Sequence, residues 1–93
     1  MCVSKDLLAK FYGSLDFSLR TMIHYRVLSI YGKPFDQVLI EEPWRVYDVL
    51  VKAMGRHNAD MFLNILKNWL EKNQCNVSLD ELKKFLTSRD RWP

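Results

Sequence analysis

The chain holds few residues whose types could carry out chemistry, and their spacing argues against it. His24 and His57 are its two histidines, and neither sits in a metal-ligand pattern; there is no HExxH. A surface place is expected for both. Cys2 and Cys75 lie far apart, with no CxxC and no paired histidines, which matches neither a disulfide framework nor a zinc site. Two incidental thiols are the expectation, with a Cys2–Cys75 bridge as the open alternative. Glu41 and Glu42 are adjacent carboxylates, but neighbours on a turn point apart and do not converge on one substrate atom. They fit better as negative charge at the positive end of a following helix. No GxSxG and no phosphate-cradling glycine loop occurs, and each of the three glycines falls at an expected helix end. No catalytic, cofactor-binding or metal-ligating residue is assigned, no small-molecule substrate is evident, and the reading is non-enzymatic.

Three features are less neutral. Arg26 falls inside the apolar stripe of its helix, where it can snorkel near the helix end or pair with Asp48 or Asp60. Trp92 stands in a short basic segment, RDRWP, and could fold back or anchor a partner. Lys83, Lys84, Arg89 and Arg91 against Asp90 account for the whole net charge of +3, so basicity is a property of the tail. These four cations are the candidate contacts for weak, salt-sensitive nucleic-acid binding. A helix-turn-helix reading of DVLVKAMGRHNADMF is disfavoured, because the second helix would expose a nearly neutral face.

The elements that position these residues read as helices. Ser4–Tyr12 forms a short one with Ser4 as N-cap and Gly13 as its end. Ser14 then caps a longer helix, roughly Leu15–Tyr31, which Gly32 closes. Leu15, Leu19, Met22, Ile23, Val27 and Ile30 make its buried stripe, while Phe17, Tyr25 and Leu28 form a second apolar strip nearly opposite. In YGKPFDQVLIEEPW the residues before Pro34 and Pro43 are pushed out of the α region, so Phe35–Ile40 is confined to a short separate turn or helix packed on the core. A largely buried helix follows over about Pro43–Met54, ended by Gly55. The next begins between Arg56 and Asn58 and buries Ala59, Phe62, Leu66, Trp69 and Leu70. Ser78-Leu-Asp-Glu81 is a capping box, with Val77 and Leu82 as a hydrophobic staple, and opens the last helix.

Ninety-three residues, 48% apolar and 13% aromatic, suit one globular domain. Residues 1–13 form its N-terminal helix, 15–73 the core helices and 78–93 a capping helix with the basic tail. No apolar run reaches membrane-spanning length. MCVSKDLLAK lacks an uninterrupted apolar stretch, so a signal peptide is not expected and the location is read as cytoplasmic. The fold class is all-α: a compact bundle of four or five helices with a proline-bracketed link. Leu19, Ile23, Ile30, Leu50, Phe62, Leu66 and Trp69 are expected in its core.

Tyr31-Gly32 closing a helix, an apolar link ending in Pro43, Val49-Leu50, and Met54-Gly55 before a helix with Leu66 and Leu70 together resemble a small archaeal family. That family is described as output domains of Nitrosopumilus-type signalling proteins, and the resemblance spans roughly Leu15–Lys72. It implies an all-α cytoplasmic domain used for interaction or regulation, and no catalytic residue. The residues add one expectation of their own. A peripheral helix apolar on two faces leaves one uncovered, so Phe17, Tyr25 and Leu28, with Trp92, are the candidate interface of a homodimer or a protein complex.

Overall fold

The computed structural model describes residues 2–92 and, among them, contains helices and no strand. Six α-helices follow in order: α1 Lys5–Ser14, α2 Phe17–Tyr31, α3 Phe35–Glu41, α4 Val46–Met54, α5 Arg56–Lys72 and α6 Leu79–Phe85. Single 3-10 turns at Pro43–Arg45 and Arg89–Arg91 complete them. The class is as expected. The count exceeds four or five because the proline-bracketed link is a helix in its own right. The Cα radius of gyration, 12.1 Å, matches the roughly 12 Å expected of a compact chain of this length.

The helix boundaries follow from where the unpaired backbone donors find acceptors. Ser4 Oγ accepts from the Leu7 N–H at 3.2 Å and caps α1. The next boundary differs from the expected one, since α1 runs through Gly13 to Ser14 and Asp16, not Ser14, caps α2. Asp16 Oδ2 accepts from the N–H groups of Ser18 and Leu19, at 3.0 and 3.3 Å. The Ser14 hydroxyl instead donates back to the Phe11 carbonyl at 2.7 Å. A carboxylate that satisfies two donors outcompetes a hydroxyl already spent on its own helix. Gly32 ends α2 in the left-handed region, φ 80°, with its N–H donating to the Leu28 carbonyl.

The corner after α2 is built as the prolines require, with one correction. Phe35, Val38 and Leu39 of α3 are buried, while Ile40 is partly exposed. Pro43 opens a 3-10 turn and α4 begins only at Val46, so Glu41 and Glu42 do not sit at its N-terminus. Glu42 is instead a tie across the corner. Its carboxylate lies 3.2 Å from Lys33 Nζ and 3.1 Å from Arg45 Nε, and accepts from the Tyr31 hydroxyl at 3.3 Å.

Gly55 (φ 87°, ψ 161°) takes a conformation that a side chain disfavours, which lets α4 end and α5 begin in consecutive residues. α4 buries Val46, Tyr47, Val49 and Leu50 against α2 and α5. Phe11, Phe35 and Phe62 meet edge-to-face at the centre, with ring centroids 5.5 and 5.6 Å apart. Of the expected core, Ile23, Leu50, Phe62 and Leu66 are buried and Leu19 and Trp69 partly so. Ile30 is 53% exposed. It lies in the last turn of α2, beside an open hollow lined by Ala53, where the chain has already turned away at Gly32.

The C-terminal end is closed covalently. Cys2 and Cys75 form a disulfide, with Cα atoms 5.6 Å apart, which overturns the expectation of incidental thiols. Gln74 (φ 65°) turns the chain after α5, and the Cys75 N–H donates to the Leu70 carbonyl, holding the buried Cys75 where the N-terminal segment passes. Ser78 caps α6 by accepting from the Glu81 N–H at 3.1 Å, with Val77 and Leu82 both buried. The reciprocal half of the capping box is replaced, because the Glu81 carboxylate pairs with Arg91 at 3.0 Å. No helix among the described residues is long and apolar enough to cross a membrane.

Candidate interaction surface

α2 lies on the outside of the bundle and buries only Ile23 and Val27. The strip expected on its far side is in the open: Phe17 is 73% exposed, Tyr25 63% and Leu28 38%. Met22 and Ile30 are also exposed, on the flanks of α2 rather than on this strip, so five of the nine large apolar side chains exposed among the described residues belong to this one helix. Neither segment that could have covered the strip does so. α1 packs mainly along α3 and touches α2 at its flank, where the Tyr12 hydroxyl donates to the Arg20 carbonyl at 3.4 Å. Burial, with Asp36 nearby, pushes the Tyr12 phenol above its usual range, and Arg20 partly offsets this.

Trp92 is not available as an interface anchor. Its ring is buried edge-on against Phe85, and its Nε1–H donates to the Phe85 carbonyl at 2.7 Å. The basic tail folds back with it. Arg89 stacks on the Trp44 ring at 4.4 Å, and Arg91 pairs with Glu81 while lying 5.6 Å from the Phe85 ring. Lys83 sits 4.6 Å above the Tyr47 ring and 3.9 Å from Asp60, whose carboxylate also accepts from the Tyr47 hydroxyl at 2.8 Å. Lys84 is exposed and has no carboxylate partner among the described residues. The four candidate nucleic-acid contacts therefore sit at one end of the molecule, three of them already engaged.

A second feature went unmarked in the sequence. Between α2 and α5 runs an open groove of about 270 Å³, with Ile23 and Phe62 at its floor, Met54 at one end and Met22, Met61 and Ile65 along its walls. Met61 and Ile65 are 49% and 41% exposed. Their i, i+4 spacing, off the face defined by Ala59, Phe62 and Leu66, was the signal that could have revealed them. Arg26 lines this groove and pairs with neither Asp48 nor Asp60. Its charge reaches solvent along the helix side, the snorkelling arrangement.

His24 is half-buried and meets Tyr25 edge-on, His57 is exposed, and no cluster of three or more metal-ligating side chains occurs among the described residues. What the surface offers is apolar area framed by cations. Comparison of the chain with protein-family models, with curated proteins and with solved structures finds no match.

Proposed function

We propose that this protein is a non-enzymatic interaction module that self-associates through the outer face of α2. The observation that carries this reading is the solvent-exposed strip of Phe17, Tyr25 and Leu28 on a helix with only two buried residues. Leaving such area in water is unfavourable by roughly 25 cal/mol per Å², and a twofold pairing of α2 with α2 removes the same strip from both copies. The resemblance to archaeal signalling output domains points the same way, toward a regulatory role without chemistry of its own. A cytoplasmic location, taken with the Cys2–Cys75 bridge, calls for a cytosol that tolerates disulfides, as those of hyperthermophilic archaea do.

Light scattering at micromolar concentration tests the proposal. A dimeric mass is expected for the full chain and a monomeric one for Tyr25→Asp, with both giving the same far-UV circular dichroism. A monomeric mass for the unaltered chain rejects self-association. Weak nucleic-acid binding through Lys83, Lys84, Arg89 and Arg91 is the alternative. It requires salt-dependent binding of labelled DNA or RNA that is lost when residues after Thr87 are removed.

A further inference from the structure

We propose that the groove between α2 and α5 is a docking site for an acidic amphipathic helix of a partner protein. Its shape and chemistry suit the apolar edge of a helix. Asn58, Met61 and Ile65 line one wall of α5 from position 58 to position 65, about 10 Å at 1.5 Å rise per residue. That length matches two turns of a bound helix, which would place two or three anchors at i, i+3 or i+4, and i+7. Three of the lining residues are methionines (Met22, Met54, Met61), whose unbranched, polarizable side chains adapt to such anchors.

Charge selects the kind of helix. Arg26 and Asn58 are the polar residues of the lining, and no carboxylate lines it. α2 has not one Asp or Glu from Phe17 to Tyr31, and its other arginine, Arg20, faces α1 and the Phe17 ring rather than the groove. The two carboxylates of α5 are engaged on its other sides, Asp60 with Tyr47 and Lys83, and Glu71 with Lys67. An apolar ridge flanked by Glu or Asp therefore meets complementary potential here, and one flanked by Lys or Arg meets repulsion. A second copy of this chain is the poorer occupant, since twofold pairing would set Arg26 near its own image with no lining carboxylate between them. Nucleic acid fits less well, because one arginine and one asparagine among apolar walls offer little to a phosphate backbone. This site uses residues other than the α2 outer strip, so either proposal can fail without the other.

A displayed library of 18-residue amphipathic peptides tests it, with apolar anchors held to Leu, Ile, Met or Phe and flanking positions free to be Glu, Lys or Gln. The full chain serves as bait. Enriched peptides are expected to carry Glu at the flanks. Each should bind on the order of tenfold more weakly to Arg26→Glu and lose binding to Met61→Asp, yet keep its affinity for Tyr25→Asp. Met61 and Arg26 are exposed, so circular dichroism and the melting temperature of both variants should match the unaltered chain. Enrichment of Lys at the flanks, enrichment of binders indifferent to Met61→Asp, or no enrichment at all would overturn the proposal. Binders lost on Tyr25→Asp alone would place docking on the α2 strip instead. A labelled oligonucleotide displaced from the chain by Met61→Asp would assign the groove to nucleic acid.

Discussion

The C-terminal end of the molecule and the outer face of α2 are both rich in aromatic and basic residues, yet they reach opposite states. At the first, Trp92 is buried on Phe85, Arg89 stacks on Trp44, and Cys2 is bonded to Cys75 nearby. Val3 and Trp92 line the same hollow, so the segment before α1 and the one after α6 meet there. At the second, Phe17 and Tyr25 stay largely exposed although Arg20 lies over the Phe17 ring and His24 meets Tyr25 edge-on. The difference is one of backbone. The 3-10 turn at Arg89–Arg91 bends the chain back and buries the tryptophan that follows it, whereas a side chain in mid-helix points where the helix axis and packing dictate. Large aromatic residues are thus buried where the backbone can turn and stay exposed where it cannot.

Opening the closed end should have the largest effect. The bridge spans 73 positions, and removing a cross-link of that span costs about 4 kcal/mol in the chain-entropy account. Urea unfolding with and without reductant should show a loss of unfolding free energy of that order, read from a lower midpoint, and an unchanged midpoint would assign no stability to the bridge. Trp92→Ala is the next test. Loss of its burial and of the Nε1–H bond should cost about 3 kcal/mol, whereas Tyr25→Ala on the open face should change the stability of the monomer by less than about 0.5 kcal/mol. Equal effects in denaturant titrations would erase the distinction between the two regions.

Gly32→Val probes the end of the open helix. No atom would crowd the added Cβ, so the whole effect is the cost of a β-branched residue at φ 80°, about 1–2 kcal/mol. Thermal melts should show a lower midpoint, and an unaltered one would mean that the helix ends without the left-handed turn. Smallest is the Tyr12 contribution. Its raised phenol pKa favours the folded state below the ordinary tyrosine range and withdraws that favour as pH climbs through it. Tyr12→Phe should therefore weaken the fall in stability above about pH 10, measured by alkaline unfolding.

Much of the fold was legible along the chain because its signals are local. Ser4, Gly32 and Ser78 act as cap or terminator where the sequence places them, and the two prolines separate α3 from its neighbours. Helical period alone exposes Phe17, Tyr25 and Leu28 opposite Ile23 and Val27. The errors arose where two local signals competed or where the outcome depended on distant chain. Ser14 and Asp16 were both able to cap α2, and the donors went to the carboxylate. Ile30 carried the core spacing, yet in the last turn of its helix it is Tyr31 that packs on the core while Ile30 faces an open hollow.

The sequence by itself determined the helices, most of their ends and the apolar strip on α2, since each depends on residues within a turn or two. Only the tertiary structure decided that Cys2 meets Cys75, that Lys83 bridges the Tyr47 ring and Asp60, and that Met22 and Met61 face each other across a groove. Those pairings join residues tens of positions apart. Their proximity follows from how the helices pack, which no periodicity along the chain encodes.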